Sequence, residues 1–177
     1  MTSYRRNFVP GGSYFFTVNL AERRLQHLTE HVDALRSAFR YVRERHPFSI
    51  VAIVILPDHL HTIWTLPEND FDFPCRWRLL KSIFSRALPR GESISASRAR
   101  KNERGIWHRR YWEHTLRDEN DFMRCSDYIH FNPVKHEHVR RVEDWPYSSF
   151  HRMVRAGLYR RDWAGDAADI GMTFGER

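Results

Sequence analysis

The chain has 177 residues, with 29 basic and 22 acidic side chains, a net charge of +7, 41% hydrophobic residues and two cysteines. That length suits one domain with a core of its own, and the balance of apolar and charged residues excludes a wholly disordered chain. No window approaches the ~18 uninterrupted apolar residues of a membrane helix; Arg5-Arg6 leads into Pro10-Gly11-Gly12 rather than an apolar run, so no export signal is expected, and Cys75 and Cys125 stand far apart, as suits a reducing cytoplasm.

After the Gly11-Gly12 turn, Tyr14, Phe16, Val18 and Leu20 alternate with Ser13, Phe15, Thr17 and Asn19, which is the period of a strand. Val32, Leu35, Phe39 and Val42 mark the apolar face of a helix over 28–45, stopped by Pro47. Residues 48–56 are apolar on both faces and predict a buried central strand, broken at Pro57-Asp58. His59 to Leu66 alternates again and is expected to pair with it as a hairpin. A helix over 73–88 carries Trp77, Leu80 and Phe84 on one face. Residues 89–104 are rich in Ser, Arg and Gly and have no period, so a mobile loop is expected there. Trp107 to Arg117 reads as extended. Asp118 or Asn120 caps a last helix, which Pro133 should end near Asn132. The remainder has little pattern. This order predicts an α+β fold: one antiparallel sheet in a ferredoxin-like or RRM-like arrangement with helices packed on it. Residues 1–150 are expected to form the domain, and 151–177 a C-terminal tail that packs on it or extends from it.

The charge is concentrated. Arg76 to Arg110 holds 11 basic residues against Glu92 and Glu103, a surplus of +9 that leaves −2 for the remainder. A localised basic surface favours a polyanion, nucleic acid first; a solvated basic helix and loop is the plainer alternative. Aromatic residues make up 14% of the chain, and those outside the core offer faces on which bases stack.

His59 and His61 lie two apart in a strand, so they share one face while Leu60 points into the core. Two neutral imidazoles make half of a divalent-metal site, although a bare H-x-H equally describes two ordinary strand histidines. His136-Glu137-His138 repeats the spacing, but its charged middle residue and its place after Pro133 assign it to the surface. On the last helix Tyr128 and Asn132 share a face, with Cys125 and Asp121 one and two turns back. A phenol beside an amide oxygen offers a nucleophile and a third metal ligand; the competing reading is a packed tyrosine at a helix stop. No general base stands out, Asp121 being the acid on that face. Taken together, the histidine pair, the helix-borne tyrosine and the basic, aromatic segment describe a tyrosine nuclease.

The stretches Leu56-Pro57-Asp58-His59-Leu60-His61-Thr62-Ile63-Trp64 and Tyr128-Ile129-His130-Phe131-Asn132-Pro133-Val134-Lys135 resemble the HUH single-tyrosine transposases of the smallest insertion sequences. More closely the chain resembles their domesticated relatives, the REP-associated tyrosine transposases. Tyr4-Arg5-Arg6, Gly11-Gly12 with Phe15 to Leu20, Trp107 to His114, and Asp144 to Phe150 also match that group, in order over nearly the whole chain. The resemblance implies an HUH nuclease architecture in which His59 and His61 are the metal-binding pair, Asn132 the third ligand and Tyr128 the nucleophile. It implies Mg²⁺ or Mn²⁺ as cofactor. The implied substrate is single-stranded DNA with a REP hairpin and a short tetranucleotide at its foot, cleaved through a 5′-phosphotyrosine and rejoined without ATP.

The backbone of such a hairpin would meet Arg76, Arg78, Lys81 and Arg86, with Trp107, Arg109 and Arg110 beside them and Arg5 and Arg6 entering a groove from an N-terminal arm. A cytoplasmic, nucleoid-associated monomer with no membrane attachment follows from the same likeness. Three rivals predict different behaviour. A non-catalytic hairpin-binding relic predicts binding without cleavage. An HUH replication initiator or relaxase would bring further domains or a second active tyrosine, for which Tyr111, Tyr147 and Tyr159 are available. A metal-dependent hydrolase using water predicts no covalent adduct.

Overall fold

The computed structural model describes residues 6–92, 94–165 and 174–175. Arg5, one of the expected DNA contacts, lies outside the described residues.

Four strands form one antiparallel sheet: β1 (Ser13–Asn19), β2 (Ser49–Ile55), β3 (His59–Thr65) and β4 (Trp112–Thr115), in the order β2-β3-β1-β4. Strands β2 and β3 are the expected hairpin, and Leu56 N–H donates to the His59 carbonyl at 2.9 Å across its turn. The other connections cross over through helices, which is the ferredoxin-like pattern. Helices α1 (His27–Glu30) and α2 (Val32–Arg45) follow β1, and α3 (Phe73–Ala87) follows β3. A short α4 (Ala96–Ala99) precedes β4; α5 (Glu119–Lys135) and α6 (Phe150–Arg155) come after it. Among the described residues no helix is long and apolar enough to cross a membrane.

The alternation in β1 and β3 sorts their side chains onto two faces. Tyr14, Phe16, Val18, Leu60 and Trp64 meet Leu35 and Phe39 of α2 and Trp77 and Phe84 of α3. Trp64 and Trp77 stack there with ring centroids 4.1 Å apart. On the opposite face Phe15, Val54 and Ile63 meet Cys125, Tyr128 and Ile129 of α5. The sheet therefore carries helices on both faces, and the histidine face belongs to α5.

Three local expectations are corrected. The helix over 28–45 breaks at His31, whose backbone leaves the helical region (φ −115°, ψ 35°); Leu28 N–H, at the free start of α1, donates to the Pro57 carbonyl at 3.1 Å. Pro133 does not end α5: the helix runs on through Lys135 to its cap at His136, past which Glu137 takes a positive φ of 58°. The loop over 89–104 is tied down by Arg104, which pairs with Glu92 (2.5 Å) and donates to the carbonyls of Ser85, Leu88 and Pro89. Among the described residues after 150, Tyr159 and Trp163 pack with Phe131, Val142 and Phe150.

Candidate active site

His59 and His61 leave β3 on the α5 face, both buried, with ring centroids 5.0 Å apart. The ring of Tyr128, projecting from α5, stands 5.2 Å from that of His61. Helix α5 is held against the sheet by Phe15, whose ring meets Tyr128 edge-on at 6.0 Å, and by Ile129 in the same cluster. Asn132 follows one turn later, fully buried. The sequence-predicted histidines and tyrosine are thus brought together by a strand that ends at Thr65 and a helix that begins at Glu119.

Second partners orient both imidazoles. His59 donates from Nδ1 to Asp58 Oδ1 at 2.7 Å, and Asp58 is held in turn by Arg23 Nε at 2.7 Å. Burial alone would raise the Asp58 pKa, but the hydrogen bonds from His59 and Arg23, with the Arg23 charge, hold the carboxyl well below the usual range. His61 pairs through Nδ1 with Thr17 Oγ1 at 2.8 Å; that hydroxyl donates to the Phe174 carbonyl, so it accepts from His61. Both rings therefore carry their proton on Nδ1 and turn the Nε2 lone pair inward. The His59 Nε2 is buried without a hydrogen-bond partner among the described residues. Two imidazole lone pairs and a buried amide suit a divalent cation, so the donor set fits the metal that the sequence implies.

The phenol oxygen of Tyr128 accepts from Lys135 Nζ at 3.0 Å, and the Phe174 N–H lies 3.5 Å from it. The Phe174 ring stands edge-on to Tyr128 at 4.7 Å. Sequence reasoning missed Lys135, although its spacing of seven residues from Tyr128 places both on one side of a helix. It also missed Asp58 and Thr17 as orienting partners. His136, assigned to the surface, is half-buried with its ring 5.1 Å from that of His59, because the helix continues past Pro133 and carries it there. Tyr111 packs on the other sheet face against Trp77, and the Tyr159 hydroxyl is engaged with Asp127.

Two further groups bring metal-competent atoms within 4.8 Å of one another: His27, Glu30 and His31, and His114, Asp121 and Cys125. The second is closed by its own bonds. His114 Nε2 reaches both Asp121 oxygens at 3.0 and 2.8 Å, and burial, reinforced by the Asp121 charge, pushes the Cys125 thiol up to about 12. Asp121 is spent on His114 and Arg117, which removes the one acid considered as a base.

Six of the expected DNA contacts (Arg6, Arg78, Lys81, Arg86, Trp107 and Arg109) line one cleft of about 630 Å³ between α3 and the segment before β4. Arg98, Lys101 and Arg104 add to its positive lining. Burial and the charge of Arg6 push the Lys81 ammonium down to about 7. Arg110 is exposed outside the cleft. Two expectations need correction. Arg76 is buried, bound to Asp70 at 2.6 Å and to the carbonyls of His46, Pro47 and Asp72, so its guanidinium is a brace and not a phosphate contact. Trp107 is 6% exposed and packs on Phe84, leaving no open face for a base.

The sequence matches no protein-family model. It is similar to the REP-associated tyrosine transposase of Escherichia coli, 47% identical over 177 residues, covering 100% of this chain and 98% of that one. A Haemophilus influenzae protein of the same family name is 48% identical over 167 residues, covering 94% of this chain and 95% of that one. A solved structure of a REP-associated tyrosine transposase bound to a REP hairpin superposes with a TM-score of 0.85 at 46% identity, covering 100% of this chain and 98% of that one.

Proposed function

This chain belongs to the REP-associated tyrosine transposases, and from that membership we propose that it binds REP-type hairpin DNA and cleaves and rejoins an adjoining single strand through Tyr128. The observation that carries the chemistry is the Tyr128 ring 5.2 Å from His61, itself 5.0 Å from His59.

In this reading the Tyr128 oxygen attacks phosphorus, the bond to the 3′ oxygen breaks, and the strand's 5′ phosphate stays on the tyrosine. The phenol proton leaves and the 3′ oxygen takes one up. A phenol ordinarily titrates near ~10, so attack near neutrality needs help. The Lys135 ammonium, 3.0 Å from the oxygen, favours the phenolate over the phenol and neutralises it when it departs on rejoining. Asp58 and Thr17 keep His59 and His61 in the tautomer that presents Nε2. A divalent cation such as Mg²⁺ or Mn²⁺, held by His59, His61 and Asn132, supplies Lewis-acid polarisation of the phosphate when bound.

The related protein's REP hairpin supports a hairpin ligand here, with the stem backbone along Arg78, Lys81, Arg86 and Arg109 and the unpaired tetranucleotide foot leading to Tyr128. A monomer is supported by the histidines, Asn132 and tyrosine all coming from one chain, and a reducing compartment by two free cysteines. The test is a denaturing gel of labelled hairpin DNA incubated with protein and Mn²⁺ or Mg²⁺. A metal-dependent, SDS-resistant band that disappears in Tyr128→Phe is expected. Cleavage without the band would point to attack by water.

A further inference from the structure

A second basic groove, of about 730 Å³, lies between α2 and the segment 146–152 and shares no lining residue with the α3 cleft. Its wall on α2 carries Arg36, Arg40 and Arg43, spaced four and three apart and hence on one helix face. Tyr147 and Arg152 stand opposite, over a floor that includes Phe48 and Ile53.

Little of the charge in this groove is compensated. Arg43 donates to the Phe48 carbonyl at 3.2 Å, and Arg152 to the carbonyls of Ile50 and Val51; neutral acceptors orient a guanidinium without cancelling it. Arg40 makes no ion pair or hydrogen bond among the described residues, and Arg36 has one exposed pair with Asp33, of little energetic weight. Glu44, the acid in the lining, is 3.6 Å from Arg45 outside it. The adjoining sheet edge is already closed: Ser149 N–H donates to the Ile53 carbonyl at 2.8 Å, and Ile55 N–H to the Tyr147 carbonyl at 2.9 Å. An added peptide strand therefore finds no free ladder there.

Phosphate-ready guanidiniums beside an aromatic ring and an apolar floor match what an unpaired strand offers, charged backbone and free base faces together. A duplex keeps its base faces stacked inside and would leave the floor unused. We propose that this groove holds single-stranded DNA, the unpaired flank of a bound hairpin, with phosphates on Arg36, Arg40 and Arg43 and a base against Tyr147. The proposal rests on the hairpin-binding reading above and adds a second strand contact at the opposite edge of the sheet.

The experiment compares affinity for a blunt hairpin with that for the same hairpin bearing unpaired tails of about ten nucleotides, within the range of known single-strand site sizes. The wild-type protein should bind the tailed DNA at least tenfold more tightly. Arg36→Glu with Arg40→Glu, both exposed, should remove the part of that gain that the foot at Tyr128 does not supply, lower the salt slope by about 1.4 for two lost single-strand phosphates, and leave the blunt hairpin unaffected. Tyr147→Leu should reduce the gain without changing the slope. The proposal is overturned if tails add nothing to the wild-type affinity, if the double variant weakens both DNAs equally, or if a polyglutamate peptide competes as well as the single strand. Binding that depends on tails, with none to the blunt hairpin, would sink the hairpin reading and leave the groove standing.

Discussion

Asp58 accepts a hydrogen bond from His59 Nδ1 at 2.7 Å and so turns Nε2 toward the proposed metal position. Partners of this kind commonly contribute 10- to 100-fold to metal affinity, so Asp58→Ala should weaken Mn²⁺ binding, read by calorimetry, by about that factor. Lys135 acts on the other half of the site. Replacing it with Met removes a positive charge 3.0 Å from the Tyr128 oxygen and should move the alkaline rise of the cleavage rate up by about one pH unit. An unchanged profile in Lys135→Met would restrict Lys135 to packing. The histidine pair and the tyrosine were legible in the sequence because strand period and helix spacing set their faces locally. Lys135, Asp58, Thr17 and His136 were not, since their roles exist only once α5 lies on the β3 face; even Lys135, on the same helix as Tyr128, was hidden by the expectation that Pro133 ends it.

Helix α5 begins at Asp118, whose side chain accepts from Asp121 N–H at 2.8 Å, and this cap should contribute about 1 kcal/mol. Asp118→Ala should therefore lower the melting temperature by about 2–4 °C while adduct formation on folded protein is retained. Midway along α5, His130 is buried with Nε2 3.0 Å from Ser149 Oγ, and burial, aided by the charge of Arg152, pushes its pKa down to about 3. The unfolded imidazole takes its proton near ~6.5, so between those values the unfolded state holds more protons. Stability is full above that upper value and falls as pH drops toward about 3; denaturant titrations of His130→Gln should show a flatter curve through this window. The antiparallel sheet with helices packed on it followed from element order and alternation, whereas the strand order and the face that α5 covers were not read there. The break at His31 was not read from the sequence either, because no proline or glycine marks it there.

At the scale of the molecule the sheet separates chemistry from charge: the histidines and Tyr128 on the α5 face, the basic α3 cleft and the arginines of α2 on the other. Sequence charge located the basic cleft correctly between Arg78 and Arg109, but it could not tell Arg76, consumed inside the fold by Asp70, from its exposed neighbours. Lys81, titrating near 7 in the free protein, gives the cleft a pH signature. Phosphate favours its charged form, so hairpin affinity should fall as pH rises from 6.5 to 8.5, and Lys81→Arg, which stays charged, should remove that dependence.

The most direct measurement is the identity of the residue that carries the DNA. Protein incubated with hairpin DNA and Mn²⁺ would be digested with nuclease and protease, and its peptides weighed. The nucleotide mass should sit on the peptide containing Tyr128. The same mass on a peptide containing Tyr111, Tyr147 or Tyr159, or cleaved DNA with no modified peptide at all, would contradict the account.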